Sequence, residues 1–186
     1  MLDALQALYG QWCGAAPDRC ETLPLSGSDR RYVRLGGPGG TVMGTWHRHD
    51  AENRAFVSFA RHFRAQGLPV PEILADNLDQ GVYLQEDLGD DSLLDRLLEE
   101  RRGLPSGAEP ERALDLYRQA LRELARLQVT GGDGLDWSLC QHGDLFDRQA
   151  VLSDLNYFKY YFLKPHKVEF DERALENDFE ALSAFL

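Results

Sequence analysis

Lysine is nearly missing from this sequence. Of its 20 basic residues only Lys159, Lys164 and Lys167 are lysines, and the other 17 are arginines. A mechanism that needs a lysine amine within the first 158 residues is therefore excluded. Basic charge as a whole is scarce: 31 acidic residues against 20 basic ones leave a formal net charge of −11. That balance argues against a nucleic-acid partner, whose phosphates call for a basic face, and against an anionic membrane surface. No apolar run approaches the roughly 20 residues of a membrane span. The start, Met1-Leu2-Asp3-Ala4-Leu5, lacks the basic opening and apolar stretch of a signal peptide. Cysteine is sparse and odd in number (Cys13, Cys20, Cys140), with no zinc-ligand spacing. A disulfide framework is not expected, and a reducing cytoplasm is the expected compartment. There is no internal repeat and no low-complexity tract.

What is present suffices for one medium domain or two small lobes: 43% of the residues are apolar and 10% aromatic. Leu2, Leu5, Leu8, Tyr9 and Trp12 have helical spacing. Thr22 to Leu25 carries a proline and fits an edge strand. Arg30 to Leu35 alternates with a period of two, Gly36 to Gly40 reads as a flexible hairpin tip, and Thr41 to Trp46 as its return strand. Residues 50–66 predict a helix, with Asp50 as N-cap, an apolar stripe of Ala55, Phe56, Phe59 and Phe63, and Gly67 at its end. Strands are expected at Glu72–Ala75 and Gly81–Gln85, with a turn between. Beyond the acidic stretch Asp87 to Asp91 only helices are expected. They are marked by Leu93, Leu94, Leu97 and Leu98, then by Leu114, Tyr117, Leu121 and Leu124, then by residues 154–163, and last by a segment capped by Asp171. Strands before residue 86 and helices after it predict an α+β fold in two lobes: residues 1–84, a hinge at 85–90, and residues 91–186.

Four stretches carry a resemblance. Leu25-Ser26-Gly27-Ser28-Asp29-Arg30-Arg31-Tyr32-Val33-Arg34-Leu35, Glu52-Asn53-Arg54-Ala55-Phe56, Gly67-Leu68-Pro69-Val70-Pro71-Glu72 and Tyr83-Leu84-Gln85-Glu86-Asp87-Leu88-Gly89-Asp90 resemble the aminoglycoside phosphotransferase/choline kinase superfamily. Within it they look most like bacterial phosphotransferases related to cell-wall amino-sugar kinases, and Phe146 to Lys164 fits the same subgroup. The resemblance implies a protein-kinase-like fold, an antiparallel sheet lobe with one packed helix followed by a partial helical lobe. It also implies ATP-dependent phosphoryl transfer to a small molecule, with ATP and Mg²⁺. Ser26, Gly27, Ser28, Asp29 and Arg31 would form the turn over the nucleotide phosphates, because small residues let backbone N–H groups approach an anion. An ordinary hairpin turn with solvated arginines is the alternative. Gln85, Glu86 and Leu88 would form the hinge that meets the base.

Glu52 would be the helix carboxylate that pairs with a phosphate-gripping strand lysine. The strand Thr41 to Trp46 has none, so the positive charge falls to Arg31, Arg34 or Arg48. A solvent-facing Glu52 is an equal alternative.

His142-Gly143-Asp144 resembles the superfamily's catalytic loop, which would make Asp144 the base and His142 its companion. The residue five after Asp144 is Gln149 rather than asparagine, and Asp154 follows too soon to be the second metal-binding aspartate. The match is therefore read as chance, with Asp144 and His142 held as runner-up catalytic residues. The expectation is that catalytic and metal-binding carboxylates lie beyond Leu186, in a chain cut short and inactive alone. The expected partners are a nucleotide and a small acceptor, a sugar or amino sugar of the aminoglycoside type. The competing expectation is a non-catalytic kinase-like domain that binds nucleotide or another protein.

Overall fold

The structure is a computed structural model that describes residues 1–25, 27–105, 108–140 and 145–184. These residues form two compact units, Met1–Leu139 and Cys140–Leu186.

The first unit is built on a five-stranded, wholly antiparallel sheet in the order β1-β2-β3-β5-β4. The strands are β1 (Arg19–Thr22), β2 (Arg31–Gly37), β3 (Gly40–Trp46), β4 (Ile73–Asn77) and β5 (Val82–Glu86). Helix α1 (Leu2–Cys13) lies on one face. Its Leu5, Leu8 and Tyr9 bury against Val33, Leu35, Val42, Val82 and Leu84, the apolar phase of each strand's alternation. Six of these eight side chains are inaccessible to solvent altogether, which identifies this layer as the core. Helix α2 (Asp50–Ala65) serves the other face, where Phe56 stacks on Tyr83 with ring centroids 5.2 Å apart. Gly67 follows α2 at φ +72°, the left-handed position that ends a helix. Helices α3 (Leu93–Gly103) and α4 (Glu111–Thr130) complete the unit. Ser92 and Asp95 cap α3 reciprocally, and Glu100 accepts from the Arg112 and Ala113 N–H groups at the start of α4. Tyr117, Leu121 and Leu124, the stripe expected to pack, are exposed.

The second unit holds α5 (Arg148–Phe158), a π-helical turn at Lys159–Leu163, and α6 (Glu172–Ser183). Lys159 is buried at the turn and is held by Glu172 at 2.7 Å and by Glu176. These contacts raise the lysine's pKa, the Glu172 hydrogen bond most of all.

The α+β arrangement expected from the order of patterns is present, and several details differ. The first strand is Arg19–Thr22, upstream of Pro24. His49, not Asp50, occupies the N-cap of α2, and Asp50 sits in the first turn. Helix α5 starts at Arg148, because the Asp147 side chain accepts from the Ala150 N–H. The glycine-rich hairpin tip is anchored rather than flexible. Tyr9 Oη donates to the Gly40 carbonyl at 2.9 Å and accepts from the Gly39 N–H, and a β-carbon on Gly39 would stand 2.6 Å from Cys13 Cβ. The aromatic run Tyr157 to Phe162 is not core: its rings are exposed and stack along the helix, Tyr157 on Tyr161 and Phe158 on Phe162.

Candidate functional site

With α1 on one face of the sheet and α2 packed over Tyr83 on the other, the part of the sheet left to a ligand lies on that second face beside α2, at Tyr32, Met43 and Gln85. Strand alternation places Tyr32 and Arg34, Met43 and Thr45, and Tyr83 and Gln85 on that face. The register joins them into two cross-sheet rows, Tyr32–Thr45–Tyr83 and Arg34–Met43–Gln85. His47, just past β3, continues the phase of Met43 and Thr45.

A cavity of about 190 Å³ opens where this face meets the chain leaving β5. Leu23, Tyr32, Met43 and Pro71 line it together with Gln85 to Gly89. The Glu86 N–H is committed to the Glu72 carbonyl at 2.9 Å, and Leu88 is exposed in the loop that follows. Asp87, part of the cavity wall, is paired with Arg34. The Arg34 Nε–H donates to Asp87 Oδ2 at 2.7 Å, and a second arm reaches Asp90 Oδ1 at 2.7 Å. Hydrogen bonds donated to Asp90 and Asp87 raise the Arg34 pKa, and the same contact holds the Asp90 carboxyl below its ordinary range.

Beside this row lies Glu52, on the first turn of α2. Arg30 approaches Glu52 Oε2 at 3.6 Å, and its guanidinium lies over the Phe56 ring, 5.0 Å from the centroid. Arg30 is not among the arginines singled out from sequence. Of those, Arg34 is taken by Asp87 and Asp90, and Arg48 pairs with Asp29 at 2.9 Å. Arg31 shares its strand phase with Val33 and Leu35, away from Glu52. Gly27, Ser28 and Asp29 form an exposed turn before β2. Ser26, His142 and Asp144 lie outside the described residues.

The open face carries an unusual set of polar atoms. Thr45 Oγ1, His47 Nδ1, Tyr83 Oη and Gln85 Oε1 are buried, and none makes an aligned hydrogen bond within the described residues, although the Thr45 and Tyr83 hydroxyls are close enough to interact. Buried polar groups are nearly always paired, so four along neighbouring strands are informative. Burial pushes the Tyr83 phenol up to about 12 and the His47 imidazole down, keeping both neutral near pH 7.

A model of the phosphotransferase enzyme family matches residues 20–153, from β1 into α5. The chain belongs to this family. It thereby falls in the protein-kinase-like aminoglycoside phosphotransferase/choline kinase superfamily. No curated protein matches the sequence. Members of the phosphotransferase family act on a nucleotide and a small molecule and generally use ATP and Mg²⁺. Among the described residues, the one group of side chains able to converge on a metal is His47, His49 and Glu52. Mg²⁺ demands an octahedron of oxygens, and two imidazoles do not supply it. That donor set does not fit the family's Mg²⁺. No helix among the described residues is long and apolar enough to cross a membrane.

Sequence pattern gives Thr45, Tyr83 and Arg30 no role and reads His47 and His49 as histidines without metal-ligand spacing. Thr45 and Tyr83 were findable, since Met43-x-Thr45 and Tyr83-x-Gln85 each obey the period of two. Arg30 and His47 were not, because their roles depend on where α2 docks.

Proposed function

We propose that this phosphotransferase-family chain holds ATP against the open face of its sheet, as the nucleotide-binding part of a small-molecule kinase. The observation that carries this reading is the cavity at residues 85–89, lined by Tyr32, Met43 and Gln85, where the buried Gln85 Oε1 has no partner among the described residues. The base would lie in that cavity under Met43, against the main chain of the hinge at 85–90. Of the hinge groups, Leu88 is the better partner, because the Glu86 N–H is already used. The turn Ser26 to Asp29 would cover the phosphates with backbone N–H groups.

Arg30 supplies the cation that the lysine-free strand cannot. Glu52 and the Phe56 ring hold its guanidinium at the edge of the face. An arginine keeps its charge at every physiological pH and can grip two phosphate oxygens at once. Residues 1–84 would then act as a nucleotide-covering lobe. The acceptor proposed is a sugar or amino sugar of the aminoglycoside type, in keeping with the net charge of −11. Three free cysteines suit a reducing cytoplasm.

One observation favours a second reading, a nucleotide-binding or interaction domain without catalysis. Thr45, wholly buried, occupies the strand phase from which a lysine would reach the phosphates. Thermal unfolding with ATP, with and without Mg²⁺, tests the shared premise, since a ligand of the folded state raises Tm by linkage. A rise in Tm that is lost in Arg30→Ala supports nucleotide binding, and no rise under either condition overturns it. ATP turnover with an amino-sugar acceptor then separates the kinase from the non-catalytic domain.

A further inference from the structure

We propose that His47, His49 and Glu52 form a binding site for a divalent transition metal of the Zn²⁺ class, separate from the nucleotide. Each residue offers one ligand atom, and these atoms lie within 4.8 Å of one another. Two imidazole nitrogens and one carboxylate oxygen are a donor set for zinc, with a fourth position left to water.

His47 is the strongest element. It is 4% exposed, and its Nδ1 makes no aligned hydrogen bond within the described residues although Glu52 Oε2 is 3.3 Å away. Two lone-pair donors that face each other at that distance suit a shared cation. Tetrahedral ligands about 2.0–2.1 Å from zinc are themselves about 3.3 Å apart. The His47 main chain is fixed on both sides: its N–H donates to the Gly81 carbonyl at 3.0 Å, and its carbonyl accepts from Asn53 Nδ2 at 2.9 Å. His49 is exposed at the N-cap, its ring edge-on to His47 with centroids 4.9 Å apart. It closes the site by a small rotation.

Two cations compete. Arg30 approaches Glu52 at 3.6 Å without a hydrogen bond, and Arg48 donates to His49 Nε2 at 3.4 Å. Both contacts are long, and Arg48 has Asp29 to hold it when His49 turns. Asp50 and Glu52 in the first turn offset the positive end of α2.

The test uses the metal-free full chain and no nucleotide, so its outcome is independent of ATP binding. Zn²⁺ is titrated by calorimetry and Co²⁺ by visible absorption. The expected result is one equivalent bound, four-coordinate cobalt bands without a thiolate charge-transfer band, and affinity weakened by about tenfold or more in His49→Ala and in Glu52→Gln. His49 is exposed, so His49→Ala retains the fold, checked by its Tm. Absence of binding up to the millimolar range, unchanged affinity in His49→Ala, or a thiolate band that assigns the metal to cysteine would each overturn the proposal.

Discussion

Arg34 on β2 and Asp87 just beyond β5 are 53 residues apart in sequence and meet in a two-armed pair, 2.7 Å from Nε to Oδ2. Only 11% and 9% of their side-chain surfaces are exposed. The contact ties the middle of the sheet to the segment leaving its last strand and sets the mouth of the cavity at residues 85–89. Removing the arginine leaves a shielded carboxylate alone, which costs more than the pair contributes. Arg34→Leu is expected to lower Tm by several degrees. Arg34→Lys should fall between it and wild type, because an ammonium keeps the charge and loses the fork. Equal Tm values in thermal melts of all three would show that the pair is not structural.

Arg30 is the cation nearest Glu52, so it is the residue whose loss should weaken ATP. Arg30→Ala is expected to raise the ATP Kd by about tenfold, equivalent to about 1.4 kcal/mol. The Tm without ligand should change little, since the ion pair with Glu52 is long and partly exposed. Calorimetric titration checks the affinity.

Thr45 faces Tyr83 across the register, and its buried hydroxyl is the polar group beside the Tyr83 phenol. Thr45→Val leaves that phenol alone and should lower the stability of the ligand-free chain by about 1 kcal/mol. The same change removes a polar atom from the open face and should reduce the rise in Tm caused by ATP. A denaturant titration with and without nucleotide reads both numbers.

His47 predicts a pH dependence. Burial lowers its pKa below the ordinary 6.5, so the unfolded chain takes up a proton that the folded chain resists. The contribution to stability is fully present above that ordinary value. It is lost as the pH falls from there through the folded-state pKa. Urea midpoints measured between about pH 5 and 7.5 should therefore rise with pH, and His47→Gln should flatten that part of the curve.

Gly81 controls where His47 sits. Its φ is +68°, and a β-carbon there would stand 2.6 Å from the His47 carbonyl oxygen. Gly81→Ala combines left-handed strain with a backbone clash and is expected to cost about 2 kcal/mol or more. The Zn²⁺ affinity of any folded Gly81→Ala should fall with it.

Much of the fold is written in local pattern. Period-two stretches separated by glycine foretell the β2–β3 hairpin, and the apolar stripe with Gly67 foretells α2. What pattern does not reveal is which charged side chains meet. Arg34, Arg30 and Arg48 are alike in sequence. The strand alternation puts Arg34 over Asp87, the docking of α2 puts Arg30 beside Glu52, and the turn before β2 puts Asp29 beside Arg48. The burial of Lys159 is illegible for the same reason, because it depends on Glu172 and Glu176 arriving from α6. The hairpin tip reads as loose because five residues from Gly36 to Gly40 include four glycines. It is firm because Tyr9 and Cys13 belong to a distant helix that happens to lie beneath it.

Helix α1 occupies one side of the sheet over β2, β3 and β5. Variation at Val33, Leu35, Val42, Val82 or Leu84 is thereby confined to conserving volume and greasiness. Tyr32, Met43 and Gln85, which line the cavity on the other side, escape that duty, so drift among descendants of this chain has three side chains there on which to act.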